Sequence, residues 1–182
     1  LEGNGTNYTD LALRNVLVHD TETAIEGYSF RAQGEHLTVH QCGQLAVNVN
    51  TNYGTTNVLY LTNSLQVAVA STGNVDVAAS PECQSVSSSE GVFTTVGAGG
   101  FYLAKAEWRN AGTTNIDGTL LEELGQRTTY PPLERSGPVS VETSLSPQAE
   151  RGGSPPSLGY YYAPVDYLVS WDERTTFSDG AE

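Results

Sequence analysis

One spacing constrains this chain more than any other feature. Leu13–Gly27 (LRNVLVHDTETAIEG), Gly34–Asn48 (GEHLTVHQCGQLAVN) and Thr55–Val69 (TTNVLYLTNSLQVAV) align without a gap at 21 residues. Asn15, His36 and Asn57 then fall in register, as do Val16, Leu37 and Val58, then Val18, Val39 and Tyr60, and finally Ile25, Ala46 and Val67. Inside each copy the period is two. Val16/Val18, Leu37/Val39 and Val58/Tyr60 form an apolar parity, and the alternate positions are mixed. Such alternation belongs to half-buried strands. A strand unit of this length fits one coil of a parallel β-helix, with coils stacked at ~4.8 Å. The apolar parity is expected to point into the coil. A leucine-rich repeat would need a leucine ladder that is missing. A sandwich would need hairpin turns between adjacent strands. A fourth coil is expected over Thr72–Ser85, where Pro81 marks the approaching end.

After Ser85 the pattern changes. Residues 1–85 read as coils, and residues 86–182 as terminal strands, one short helix, a long surface loop and an aromatic cap in the same domain. GVFTTVGAGGFYLA supplies one or two short strands. Over about 117–124, Asp117 is placed to N-cap a helix with Leu120, Leu121 and Leu124 on one face and Gly125 at C′. Leu133–Ser157 reads as an extended loop over the coil. The expected fold is therefore all-β, a short right-handed parallel β-helix with a C-terminal capping segment that holds one short α-helix.

Composition removes several partner classes. The net charge is −13, with only 8 Lys and Arg residues. Nucleic acid and anionic membrane surfaces need cations that this chain lacks, and no apolar run spans a bilayer. There is no methionine, so a processed chain or a piece of a longer precursor is expected. The composition suits an extracellular setting.

The stretch FYLAKAEWRNAGTTNIDGTLLEELGQRTTYPP, followed by LSPQAERGGSPPSLGYYYAPVDYLV, resembles the closing segment of the long, repetitive, secreted right-handed β-helix proteins of Planctomycetes and Verrucomicrobia. The resemblance rests on Tyr102, Leu103, Asn110–Asn115, Thr128–Pro132, Leu145–Ala149, Arg151, Leu158–Tyr160, Tyr162, Pro164, Asp166 and Tyr167. It covers about the last 70 residues well, and the coil region in style. Lys105–Trp108 stands where that family has Gly-Ser-Pro, which implies an altered loop. The resemblance implies a fold and an extracellular or cell-surface setting but no activity.

Candidate chemistry is sparse. The acids of the repeat region include Asp10, Asp20, Glu22, Glu26, Glu35 and Asp76. Asp20 aligns with Gln41 and Thr62, so no acidic ladder forms, and the bases are Arg14 and Arg31. No catalytic residue is assigned and no cofactor is expected. His19 and His40 fall one coil apart, with His36 placed on the same face, close enough to share a divalent metal; polar stacking is the plainer reading. Cys42 aligns with Thr21 and Asn63, and Cys83 with Asp20, Gln41 and Thr62. A Cys42–Cys83 disulfide needs the last coil to leave register, because Cα atoms must come within ~7 Å; otherwise both are buried thiols. Asn4 and Asn7 match the glycosylation pattern.

Tyr160, Tyr161, Tyr162, Tyr167 and Trp171 have two readings. They form a platform for stacking on sugar rings, or Tyr160, Tyr162 and Val165 cover the open end of the coil. The second is favoured. The functional expectation is a structural or adhesive piece of a surface protein. Its uncapped N-terminal edge would meet further coils of a longer chain or a second copy head to tail. The alternative is a carbohydrate-active module that binds or cleaves glycans on the same scaffold.

Overall fold

The computed structural model describes residues 9–49, 57–135 and 148–169. It is mostly β, with a curled parallel sheet and one short α-helix. The sheet is a stack of rungs. The first comprises β1 (Thr9–His19) and β2 (Thr23–Gly27), and the second β3 (Phe30–His40) and β4 (Gln44–Asn48). The third has β5 (Val58–Thr62), β6 (Leu65–Val67) and β7 (Ser71–Gly73), and the fourth β8 (Asp76–Ala79) and β9 (Gln84–Val86). Every neighbour pair among these strands is parallel.

Between the first two rungs the spacing is the expected 21, with Val16 paired to Leu37, His19 to His40 and Ile25 to Ala46. The third copy departs from it. Arg31 pairs with Val58, Thr38 with Leu65 and Gln44 with Ser71, a spacing of 27. Between register positions, the chain takes six more residues from Asn48 to Val58 than from their partners Gly27 to Arg31. A longer loop outside the ladder costs little, because closure entropy grows slowly with length. Asn63, not Asn57, therefore stands over His36, and Ala68 rather than Thr62 follows Gln41. The fourth rung is shorter: Leu59 pairs with Val77 and Leu65 with Gln84, at 18 and 19 residues.

Corners explain a second departure. Asn15, His36 and Asn63 occupy one corner of successive rungs, with φ of 51°, 56° and 52°. Asp20, Gln41 and Ala68 occupy the next, with φ of 55°, 50° and 53°. A left-handed residue turns the strand and takes one place out of the two-residue alternation. Before the corner Phe30, Ala32 and Gly34 are buried, and after it Leu37 and Val39 are. In the third rung the same rule sends Leu59 and Leu61 inward and leaves Tyr60 44% exposed. The expectation that Val58 and Tyr60 line the coil is corrected accordingly.

Ile25, Phe30, Ala32, Leu37, Val39, Leu45, Ala46, Leu59 and Leu61 fill the inside of the curl with Cys42. The space is tight: a Cβ on Gly34 would sit 3.0 Å from Leu61 Cδ2 and 3.1 Å from Leu37 Cδ2. A second apolar cluster joins Leu65 and Val67 to Val92, Leu103, Trp108 and Leu158. Leu65 and Val67 register with Thr38 and His40, the outward positions of the rung. The C-terminal half thus packs on the outside of the same strands, and the two halves share this second cluster.

That half begins with the antiparallel pair β10 (Phe93–Val96) and β11 (Gly99–Leu103), in the stretch expected to give short strands. The helix α1 (Gly118–Leu124) is N-capped as expected, with Asp117 Oδ1 accepting from Leu120 N at 3.1 Å. Gly125 has φ −61°, a right-handed conformation rather than a left-handed C′. The chain continues turning there, since Arg127 N donates to Leu124 O. β12 (Leu133–Arg135) and β13 (Tyr167–Val169) form a small parallel pair. Among the described residues no helix is long and apolar enough to cross a membrane.

The two faces of β5 give the first test. Leu59→Ala is expected to cost about 2–5 kcal/mol in denaturant unfolding, and Tyr60→Ala about 0.5 kcal/mol or less. The reverse ranking would restore the uninterrupted alternation.

Candidate functional site: the corner ladder and the tyrosine strap

The outward-facing corner Asn15–His36–Asn63 meets the stretch that contains the three consecutive tyrosines. Asn15 Nδ2 donates to Tyr161 O at 2.9 Å, and Tyr161 N donates to Asn15 Oδ1 at 2.7 Å. Asn63 does the same to another segment: its Nδ2 donates to Thr113 O at 2.8 Å, and Thr113 N donates to its Oδ1 at 2.7 Å. Between them lies His36, fully buried, with Nδ1 3.3 Å from Gly159 O and Nε2 3.0 Å from Asn63 Nδ2. Gly159 N donates to Asn63 O and Tyr160 N to Thr38 Oγ1, at 2.8 and 2.9 Å. Residues 159–161 therefore climb from the third rung to the first. Gly159 has φ +74°, and a Cβ there would sit 2.5 Å from Thr38 Oγ1 and 2.7 Å from Leu65 Cδ1. Only glycine fits so close to the sheet.

The tyrosines are a strap along the flank of the rungs, not a lid over their end. Tyr161 is fully buried against Leu120, Leu124 and Ile116. Its hydroxyl bonds both the N–H and the carbonyl of Ser157, and burial pushes its pKa up. Tyr162 exchanges backbone bonds with Thr128, and its hydroxyl accepts from Phe101 N at 3.1 Å. Tyr160 meets Tyr162 edge-on at 5.0 Å and 79°, and Tyr102 lies 4.5 Å from Tyr162. Tyr167 sits in β13, paired with Leu133. Of the residues of the expected sugar platform, Tyr161 is shut off from solvent, while Tyr160, Tyr162 and Tyr167 are half-buried. Trp171, Asn4 and Asn7 lie outside the described residues.

The histidines separate into two environments. His19 and His40 are register partners, as expected from the 21-residue spacing. Phe101 packs on both, at centroid distances of 4.9 and 5.2 Å, and Phe93 lies 5.7 Å from His40. His19 Nδ1 lies 2.8 Å from Asp20 Oδ2. Burial lowers the His40 pKa; Asp20 opposes that shift and His19 adds to it. His36 stands in the corner ladder with both ring nitrogens engaged, and burial brings its pKa down to about 4. The three expected metal ligands are therefore not gathered at one point. Among the described residues no three His, Cys, Asp or Glu side chains converge on a metal position.

Cys42 and Cys83 are free thiols. Cys42 Sγ lies 3.4 Å from Thr21 Oγ1, while Cys83 Sγ accepts from Ser64 N at 3.4 Å. The disulfide expectation is set aside on that ground. Asn15, Asn63 and Thr113 escaped sequence reasoning as site residues. The available signal was the recurrence of Asn or His at a strand corner, blurred by the 27-residue rung. Comparison of the chain with family models, curated proteins and solved structures finds no match.

Asn15→Gly keeps the left-handed corner but removes both bonds to Tyr161. It is expected to cost about 2 kcal/mol, from two part-buried backbone groups left unpaired. Chemical denaturation checks it; a loss below about 0.5 kcal/mol would show that the strap is held by packing alone.

Proposed function

We propose that the chain is a non-enzymatic structural or adhesive part of a secreted or cell-surface right-handed parallel β-helix, whose first rung stacks on a further rung. One observation carries this reading. Among the described residues β1 pairs only with β3 and β2 only with β4, and the inward column Leu11, Leu13, Val16 and Val18 is only partly covered. Leu11 is 36% exposed, while the second-rung residues Ala32, Leu37 and Val39 are at 1% or less. Another strand layer at ~4.8 Å would complete the column and the backbone bonds together. The right-handed sense follows from the strong preference of parallel crossovers. The resemblance of the C-terminal stretch and the composition rich in Gly, Thr, Asn, Ser and Val support the extracellular setting.

The added rung belongs to a second copy joined head to tail or to further coils of a longer chain. Sedimentation velocity over a wide concentration range, with electron microscopy of the same samples, distinguishes them. Stacking between copies predicts larger species that grow with concentration and disappear in Val16→Lys. Monomers at every concentration would sink the head-to-tail form.

A further inference from the structure

We propose that His36 is a proton-operated latch, which releases the 159–161 strap and the Thr113 segment from the rungs in acid while the rungs stay stacked.

Thr113 N donates to Asn63 Oδ1, so the amide orientation of Asn63 is fixed and its Nδ2 faces both Thr113 O and His36 Nε2. An amide nitrogen only donates. His36 Nε2 must therefore accept, which leaves the ring hydrogen on Nδ1, donating to Gly159 O. The neutral ring satisfies every partner. A second proton has one place to go, Nε2, where it meets the Asn63 NH2 donor to donor. Flipping the Asn63 amide does not help, because it would set donor against donor at Thr113 N and acceptor against acceptor at Thr113 O. Protonation thus breaks the contact to one docked segment or the other.

Against the charge of an imidazolium the surroundings set only the Gly159 carbonyl and no counter-ion. The ring edge meets Tyr161, at 5.6 Å between centroids, a phenol whose pKa is raised by burial. The corner over it, from β5 to β6, carries no charged residue. Of the charged groups beside the ladder, Glu35 on β3 binds Arg14 on β1 at 3.3 Å and accepts from Asp117 N, while Asp117 binds Arg14 at 3.0 Å. These three are committed to one another. The helix α1, which packs on Tyr161, has Glu122 and Glu123 on its exposed side. A desolvated ring without a counter-ion resists its charge, in keeping with a docked-state pKa of about 4 against 6.5 in the open.

The sign follows. The docked state holds fewer protons than the open one between pH 6.5 and about 4, so docking is fully stabilised above 6.5 and weakens as pH falls through that window. The open fraction is expected to rise about tenfold per pH unit there, on the order of 50-fold between pH 7 and 4.5. Amide hydrogen exchange on the intact chain, corrected for the intrinsic pH dependence, reads this at Thr113, Gly159 and Tyr161 against Val39 and Leu59. The expected result is faster opening at the first three alone, abolished in His36→Asn, which keeps a corner-tolerant residue that cannot titrate. The same acid response in His36→Asn would overturn the latch, as would opening of the rung amides in step with the strap. A nitrogen NMR measurement of the wild-type ring tests the premise independently, since a hydrogen on Nε2 at neutral pH would contradict it.

Discussion

The structure depends on three side chains that hold a strained corner and a buried backbone at once. A left-handed residue is needed where each rung turns, and Asn accepts that conformation more readily than most residues. Glycine would accept it too, but has no side chain to offer. At Asn15 and Asn63 the amide presents one donor and one acceptor, matched to the N–H and carbonyl of Tyr161 and of Thr113. The turn of the curled sheet and the docking of the C-terminal half are therefore set by the same residues. Neither half is complete without the other: Leu65 and Val67, apolar and outward-facing, share a buried cluster with Leu158, Val92, Leu103 and Trp108, with Val86 and Phe93 at its edge.

Sequence periodicity exposed the stacking of the first two rungs because nothing interrupts it there. Thr9–His19 and Phe30–His40 are equal in length and their connections match, so the 21-residue register is written directly in the chain. It failed at the third rung because loops outside a ladder vary in length at little cost. The aligned apolar residues Val58 and Tyr60 were a coincidence of the shorter spacing. The period of two also carries no mark of a corner. A single left-handed residue shifts the phase, so Gly34 and Leu37 both face inward although their sequence separation is odd.

The site was less legible than the fold, for a different reason. Asn110–Asn115 and Leu158–Tyr162 lie far from the repeats in sequence, and pairing of side-chain amides with distant backbone has no local pattern. The tyrosines were visible as a cluster, but their sequence did not say whether they close the end of a coil or cross its flank. That depended on Gly159, whose missing Cβ lets the backbone approach Thr38 and Leu65. The histidines likewise read as one face, whereas the corner phase shift sends His36 to the strap and leaves His19 and His40 against Phe101.

The corner ladder also explains why a histidine in the middle is informative. Asn15 and Asn63 bind their partners equally well at any ordinary pH, since amides do not titrate. A third asparagine at position 36 would give a ladder indifferent to acid. Histidine fits the same corner and meets the same kind of partners, but only in one protonation state and one tautomer. Its ring bridges the two docked segments, touching Gly159 O on one side and the amide that holds Thr113 on the other. A charge placed there cannot be shed to solvent without moving one of them. The inside of the rungs has no such dependence, because the contacts at Leu37, Val39, Leu59 and Leu61 are apolar; His40, whose pKa burial also lowers, stands outside against Phe101.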